Sequence, residues 1–197
     1  MIGYIQGEIV FLDLTYAVIE AGGIGYEIKI SINTYTRIKD LKQVRLYTHL
    51  HIKEDAHVLY GFFDVIEKNL FTQLISISGV GPGTAIMILS SMEVNEIEEA
   101  IAGGDLVTLK GIKGIGQKTA ERIIVELKDK IRKTKGLEKS AEGFGDVSNE
   151  LKSEALSALV TLGIQKSAAE KTIQSILRKQ GNNITLEELI KLALKTA

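Results

Sequence analysis

Apolar and polar residues alternate through the first third of the chain and recur at helical spacing in the remainder. Residues 1–63 contain five short stretches with the alternation or β-branched composition of strands. Gly22-Gly23 predicts a tight turn between the second and third of them. Five short strands in so few residues indicate a small Greek-key barrel of the OB type. The predicted strands are Met1–Val10, Thr15–Ala21, Ile24–Ser31, Val44–Ile52 and His57–Phe63.

Residues 64–133 have apolar residues every three or four positions and predict an all-helical domain. Within this domain, Asn95 followed by Glu98 predicts the start of one helix. The last helix is predicted over Gln117–Arg132, where the apolar side chains share one face. Those side chains belong to Ala120, Ile123, Ile124, Leu127 and Ile131.

The last third of the chain predicts a linker followed by a small bundle. Residues 134–149 are rich in Gly, Ser and charge and have few apolar side chains, which is typical of a flexible linker. Residues 150–197 contain three amphipathic stretches, and Thr185 with Glu188 predicts a capping box at the start of the third. The corner from Leu159 to Ile164 resembles the loop of ubiquitin-associated domains, so a three-helix bundle of that type is expected. Such a bundle on a mobile tether indicates a module that docks a protein partner.

The most specific pattern is an internal repeat. The segment LISISGVGPGTA, residues 74–85, aligns with LKGIKGIGQKTA, residues 109–120, at a shift of 35 positions. Each copy places a Gly-x-Gly turn between apolar helical stretches. The coinciding pairs are Leu74 and Leu109, Gly79 and Gly114, Val80 and Ile115, Gly81 and Gly116, Thr84 and Thr119, and Ala85 and Ala120.

A glycine turn that opens a helix is a binding site for anions. The first backbone amides of the helix have no partner within it, and they lie at the positive end of the helix dipole. Lys118 stands beside the second turn. The two copies resemble a tandem helix-hairpin-helix, in which two hairpins related by a pseudo-twofold axis each hold one strand of a duplex. Contacts from amides to phosphates position a protein on DNA without reading its sequence.

The turns have three other interpretations. A Walker A loop requires Lys directly after the last Gly, but Gln117 separates Gly116 from Lys118. A dinucleotide fingerprint requires a third glycine where Thr119 stands. The remaining alternative is two glycine C-caps in a plain helical bundle, which a single copy would favour. The repeat together with Lys118 favours phosphate binding.

Composition narrows the class of protein. The chain has 197 residues, 45% of them hydrophobic, no Cys and a formal net charge of −1. Residues 109–133 nevertheless carry eight basic and three acidic side chains, so positive charge is concentrated on the second hairpin and its helix. Without Cys, disulfides and thiolate chemistry are excluded. No apolar run reaches the length of a membrane span and no secretory signal is evident, so we expect a cytoplasmic location.

Glu54 and Asp55 lie between the last two predicted strands. Two adjacent carboxylates at the tip of a hairpin are normally solvated turn residues. His49, His51 and His57 are close in sequence but lack a fixed ligand spacing, so the sequence predicts no metal site.

Three segments together give a resemblance that covers the full chain: THLHIKEDAHVLYGF from Thr48 to Phe62, SGVGPGTA, and KGIGQKTAERIIVELKD. The chain resembles the RuvA family, the Holliday-junction-binding subunits of the bacterial branch-migration complex in DNA recombination and repair. The resemblance implies a homotetramer with fourfold symmetry whose flat face holds an open four-way DNA junction, with one or two tetramers on each junction. It also implies two protein partners, the hexameric ATPase RuvB and the junction resolvase RuvC.

The resemblance also implies roles for individual residues. Glu54 and Asp55 match the acidic pin at the junction centre, where carboxylates from four chains repel phosphates. The carboxyl-terminal bundle binds RuvB, and Leu159, Leu162 and Ile164 are the expected contacts. No catalytic residue, metal or cofactor is implied, because ATP hydrolysis belongs to RuvB. The expected DNA-binding residues are Gly79, Val80, Gly81, Gly83, Thr84, Lys113, Gly114, Ile115, Gly116, Lys118, Thr119 and Arg122.

One position departs from the family pattern. Many relatives carry Lys where this chain has Gly83. The first hairpin is therefore expected to bind through backbone amides alone, more weakly and with a smaller salt dependence.

Two alternatives from other classes remain open. Glycosylases and nucleases also use this hairpin, but they add a catalytic Lys–Asp pair or clustered metal carboxylates. Glu126 and Asp129 lie among basic neighbours and show no such cluster. The other alternative is a scaffold whose bundle binds peptides and whose hairpins only build the core.

Overall fold

The computed structural model of the chain describes residues 2–142, 147–180 and 184–196. The chain forms two compact units, residues 1–134 and residues 135–197. The first unit begins with a barrel and continues as helices. The barrel elements are β1 (Tyr4–Leu12), β2 (Tyr16–Ala21), β3 (Ile24–Lys29), α1 (Ile32–Ile38), β4 (Gln43–Ile52) and β5 (His57–Phe62).

The five strands form a closed barrel in the order β1-β2-β3-β5-β4, which confirms the predicted OB-type architecture. Neighbouring strands are antiparallel except β3 and β5, which run parallel. Gly22 and Gly23 turn the chain between β2 and β3 with φ of +62° and +80°, a region that glycine enters without steric cost. The barrel core consists of Ile5, Ala17, Ile19, Ile28, Ile30, Ile38, Val44, Leu46 and Leu59.

The helices of the first unit share one core with the last barrel strand. Tyr60 and Phe62 of β5 are buried in the same cluster as the apolar faces of the helices, and the Phe71 ring lies 4.8 Å from the Phe62 ring, centroid to centroid. This packing joins the barrel to the helical domain. The helices are α2 (Val65–Ile75), α3 (Pro82–Ser91), α4 (Val94–Gly103), α5 (Leu106–Gly111) and α6 (Gln117–Glu142).

A buried carboxyl group also joins the two parts. Glu67, in the first turn of α2, is only 4% exposed. It accepts hydrogen bonds from the hydroxyl of Ser31 at 2.6 Å, from the hydroxyl of Thr34 at 2.7 Å and from the amide of Phe63 at 3.1 Å. Burial raises the pKa of Glu67 above its ordinary value, and these hydrogen bonds oppose part of that shift.

Two predicted helix boundaries differ from the structure. The predicted N-cap at Asn95 is wrong: the N-cap of α4 lies two residues earlier, at Glu93, whose amide donates to the carboxylate of Glu96 at 3.0 Å. A glutamate pair replaces the expected Asn cap. The long helix α6 continues to Glu142 instead of ending at Arg132, and α7 begins at Val147. The flexibility expected of residues 134–149 stays a prediction, and residues 143–146 lie outside the described ranges.

The second unit contains α7 (Val147–Thr161), α8 (Lys166–Gln180) and α9 (Leu186–Thr196). Gly163, with φ of +92°, turns the chain after α7. The predicted capping box of α9 is confirmed, because Thr185 and Glu188 exchange amide-to-side-chain hydrogen bonds at 3.3 Å each. The core of this unit consists of Ala155, Leu159, Ala169, Ile173, Ile176, Leu177, Ile184, Leu189 and Ala193.

Candidate nucleic-acid interface

The first Gly-x-Gly turn connects α2 to α3. Gly79 has φ of +89°, which an L side chain adopts only with strain. The amide of Val80 donates to the carbonyl of Ile77 at 3.0 Å, and the Val80 side chain is buried in the core. Gly81 is the N-cap of α3, which starts at Pro82. The apolar residue thus anchors the turn while both glycines remain exposed.

The second turn repeats this geometry between α5 and α6. Gly114 has φ of +88°, and the amide of Ile115 donates to the carbonyl of Ile112 at 3.1 Å. Ile115 is buried, and α6 starts at Gln117, again 35 positions after its counterpart. The buried residues of the two copies also coincide at this shift. They are Leu74, Ile77, Val80, Ala85 and Ile88 in the first copy, and Leu109, Ile112, Ile115, Ala120 and Ile123 in the second.

The two helix starts differ in the number of amides available to an anion. In α3 the amide of Ala85 donates to the Gly81 carbonyl at 3.0 Å, and in α6 Ala120 donates to Gly116 at 3.0 Å. The amides between the N-cap and Ala85 or Ala120 have no carbonyl acceptor within their own helix. The second helix has three such amides, whereas the first has two because Pro82 lacks an N–H.

Each turn lies against the helix of the other copy. Arg122 of α6 donates through Nη1 to the carbonyl of Ser78 at 2.7 Å, and a Cβ at position 79 would lie 3.9 Å from the same nitrogen. Conversely, a Cβ at Gly114 would lie 3.6 Å from the sulfur of Met87 in α3. Positions 87 and 122 are themselves 35 apart. This reciprocity is what a two-fold relation between the copies predicts.

Four of the eight basic side chains of residues 109–133 differ in whether they also bond to the main chain. Lys113 and Lys118 are exposed. Arg122 and Arg132 are also exposed, but each donates a hydrogen bond to a main-chain carbonyl, that of Ser78 at 2.7 Å and that of Ala102 at 2.9 Å. The two arginines therefore also stabilise the helical domain, a role that the local sequence pattern does not indicate.

The acidic pair lies at a separate turn, between β4 and β5. Glu54 and Asp55 are exposed, and the amide of Lys53 donates to the Ala56 carbonyl at 2.8 Å, which closes the turn beneath them. Their carboxylates thus lie at the tip of a two-stranded ribbon. Two exposed, adjacent carboxylates present a concentrated negative charge to whatever approaches this end of the barrel.

Two of the three histidines of this region, His49 and His51, pack against aromatic rings. The His49 ring meets the Phe71 ring edge-on at 5.4 Å between centroids, and His51 lies 6.5 Å from Tyr60. Burial lowers the pKa of His49, and the charges of His51 and Lys68 lower it further. Across the described ranges, no group of three or more His, Asp or Glu side chains is arranged to hold a metal ion.

The three partner-binding candidates of the second unit differ in exposure. Leu159 is fully buried in the bundle core, so it holds the bundle together. Leu162 is 61% exposed and Ile164 is half-buried against the core. Leu162 is therefore the candidate most open to a partner. None of the helices in the described ranges combines the length and apolar character needed to span a bilayer.

Comparison with known proteins covers most of the chain. A family model described as the RuvA N terminal domain matches residues 1–61, the SAM-like helix-hairpin-helix tandem matches residues 71–129, and the RuvA C-terminal domain matches residues 150–197. A protein of Cytophaga hutchinsonii is 51% identical over 197 residues, which cover 99% of both chains. Proteins of Amoebophilus asiaticus and Christiangramia forsetii are each 47% identical over 99% of this chain and over 100% and 99% of their own lengths. All three relatives are named Holliday junction branch migration complex subunit RuvA.

Proposed function

The chain belongs to the RuvA family, and from this premise we propose that it binds four-way DNA junctions as the DNA-binding subunit of a branch-migration complex. The observation that carries the proposal is the pair of glycine turns, which repeat one backbone geometry at a spacing of 35 residues. Each turn presents the start of a helix to one phosphate strand.

We propose that binding is independent of base sequence. The groups offered to DNA are backbone amides at the starts of α3 and α6 and exposed cations such as Lys113 and Lys118. These groups recognise phosphates, which are the same at every base pair. Selection for a junction therefore comes from the arrangement of its strands rather than from contacts to base edges.

Glu54 and Asp55 supply the junction-specific element of the proposal. On a fourfold axis, four such turns would bring eight carboxylates to the point where strands exchange arms. Their repulsion of phosphates keeps the strands apart at that point. The exposure of both side chains at the tip of the β4–β5 turn is compatible with this role.

The assembly and partners follow from the family. We propose a homotetramer, with one or two tetramers on a junction, that recruits RuvB through the carboxyl-terminal bundle and shares the junction with RuvC. The chain itself is non-catalytic, and RuvB hydrolyses ATP. Leu162 and Ile164 are the proposed contacts to RuvB, and the complex acts in the cytoplasm.

A gel-shift titration tests the proposal directly. The full chain is titrated against a synthetic four-way junction, a linear duplex of equal length and a single strand, at two salt concentrations and without any partner. Tighter binding to the junction than to the duplex at both salt concentrations is the expected result. Equal affinity for junction and duplex would mean that the hairpins bind the phosphates of any DNA, and it would refute the junction-specific proposal. Cleavage products in the same gels would refute the non-catalytic role.

A further inference from the structure

The two hairpins share a backbone geometry but not a charge pattern. At the second residue of the following helix, the first copy has Gly83 and the second has Lys118. A second pair of equivalent positions is 87 and 122. Residue 87 of the first copy lies near the second turn, and residue 122 of the second copy lies near the first turn. Position 87 is Met and position 122 is Arg, so the copy that lacks its own lysine faces the arginine.

The guanidinium of Arg122 lies next to the first turn, although Arg122 is part of the helix that follows the second turn. Arg122 lies five residues into α6, so its Cα is about 7.5 Å along the axis from the start of that helix. Its Nη1, however, is 2.7 Å from the Ser78 carbonyl and 3.9 Å from the Cβ position at Gly79. One of the five guanidinium N–H donors is used in this bond, and the side chain remains exposed.

We propose that Arg122 serves the first hairpin rather than its own, both by positioning the turn at residues 78–81 and by supplying the cation that Gly83 does not. The inference rests on the proposed function, since it assumes that the hairpins bind DNA phosphates. The second hairpin has Lys113 and Lys118 of its own and faces the uncharged Met87, whereas the first has Ser78 and Gly83 at the equivalent positions. The first site obtains its cation from the other half of the repeat.

The hydrogen bond to Ser78 explains how the Arg122 side chain both positions the first turn and places a cation beside it. The Ser78 carbonyl follows the end of α2, where the helix dipole is negative and a cation is stabilised. Holding that carbonyl fixes the peptide that leads into Gly79, whose positive φ places the amides of the turn. The first hairpin is thus expected to contribute one cation to the salt dependence of DNA binding, in contrast to the expectation from Gly83 alone.

Arg132 provides a matched control for a purely structural role. It also donates to a main-chain carbonyl, that of Ala102 at 2.9 Å, and it lies on the same helix. Ten residues separate it from Arg122, about 15 Å along the axis. Arg122→Gln and Arg132→Gln therefore remove the same charge and the same kind of bond at two distances from the first turn.

Binding of the full chain to a four-way junction and to a duplex is measured by fluorescence anisotropy across a salt series. Arg122→Gln is expected to weaken binding to both DNAs roughly tenfold, the effect of one hydrogen bond to a charged group. It is also expected to reduce the slope of log K against log salt by about 0.9 for each phosphate that it no longer neutralises. Arg132→Gln is expected to leave the slope unchanged. Equal effects of the two variants would overturn the proposal.

Two second-site variants test where the cation is needed. Gly83→Lys places a lysine on the first hairpin, and a Cβ at position 83 meets no atom within 4 Å. Added to Arg122→Gln, Gly83→Lys is expected to restore the salt slope, whereas Met87→Arg, which places the same charge against the second turn, is not. Equal restoration by both would show that only total charge matters, and it would overturn the assignment to the first hairpin.

Amide hydrogen exchange tests the positioning role separately. Arg122→Gln is expected to speed exchange of the Val80 amide, which bonds to Ile77 across the first turn, and to leave the equivalent Ile115 amide unchanged. Unchanged exchange at Val80 would overturn that role. If Arg122→Gln fails to fold, the measurements are made on Arg122→Lys, which retains the charge but not the planar fork, so it should keep the salt slope and speed exchange of the Val80 amide.

The same titration separates this inference from the proposed function. If the wild-type chain binds duplex and junction equally, the junction-specific function fails, while the effects of Arg122→Gln on duplex binding still decide the inference. If the wild-type chain binds neither DNA, both fail, because Arg122 then has no phosphate to approach.

Discussion

Replacing Glu67 with alanine tests whether one buried carboxyl group joins the barrel to the first hairpin. Ser31 caps α1 of the barrel and Thr34 lies within α1, whereas Glu67 lies in the first turn of α2. Their hydroxyls donate to the Glu67 carboxyl at 2.6 Å and 2.7 Å, and the Phe63 amide donates at 3.1 Å. Alanine at position 67 leaves these three donors without their acceptor.

The expected loss of stability follows from the cost of leaving buried hydrogen-bond donors without an acceptor. Each costs about 1–3 kcal/mol, although the two hydroxyls can rotate toward other acceptors. Alanine also removes the cost of burying a carboxyl group. We therefore expect Glu67→Ala to lower the free energy of unfolding of the first unit by about 2–4 kcal/mol, and Glu67→Gln, which retains one oxygen, by about 1–2 kcal/mol.

The assay is urea unfolding followed by tyrosine fluorescence. All six tyrosines lie within residues 1–60, so the signal reports the first unit. Glu96→Ala is the matched control, because Glu96 is also the third residue of a helix and also accepts a capping amide, but it is exposed. We expect that variant to lose less than about 1 kcal/mol. Equal losses for Glu67→Ala and Glu96→Ala would refute the reasoning from burial.

The pH dependence gives a second test of the same group. Burial raises the pKa of Glu67 in the folded state above its value in the unfolded chain. Between those two values the folded state binds more protons, so the stability that this group contributes is present at lower pH and is lost as pH rises through the interval. Glu67→Gln does not titrate, so its free energy of unfolding should fall less over that interval than that of the wild type. Parallel curves would contradict the pKa shift.

Three further predictions concern the turns and the bundle. Gly79→Ala and Gly114→Ala, at φ of +89° and +88°, should each cost about 1–2 kcal/mol in urea unfolding and weaken DNA binding in gel shifts; unchanged midpoints would contradict the need for glycine. Glu54→Gln combined with Asp55→Asn should lower the fluorescence of 2-aminopurine placed at the centre of a bound junction, because less charge holds the strands apart; an unchanged signal would remove the support for the acidic pin. Thr185→Ala should destabilise α9 by about 1 kcal/mol, seen as faster amide exchange in that helix alone, and unaltered exchange would show that the cap contributes nothing.

The strands and both glycine turns were predictable because their signals are local. Alternation along a strand reflects the two faces of a barrel wall, and Gly79 and Gly114 are needed at positive φ whatever the rest of the chain does. The repeat also placed the buried Val80 and Ile115 in equivalent positions. Such features depend on residues a few positions apart, and the sequence displays them directly.

Contacts between distant positions were not predictable in the same way. Arg122 and Ser78 are 44 residues apart, and Ser31 and Glu67 are 36 apart. Nothing local distinguishes an arginine that reaches a carbonyl from one that reaches a phosphate. The amphipathic stripe of α7 likewise could not separate Leu159, which is buried in the core, from a residue that faces a partner.

Closure of the barrel constrains how copies of the chain would associate in the proposed tetramer. Within residues 4–62 every strand has two hydrogen-bonded neighbours, although β3 and β5 pair only at Ile28–Leu59 and Lys29–Tyr60, so the barrel leaves only short stretches of free edge for a strand from another chain. We therefore expect the proposed tetramer to form mainly through side chains, and the exposed aromatic rings of Tyr4 and Phe11 are candidates. In the proposed tetramer, subunits held together by side chains would separate and rejoin without breaking a β-sheet, so assembly on DNA and release from it would require no refolding.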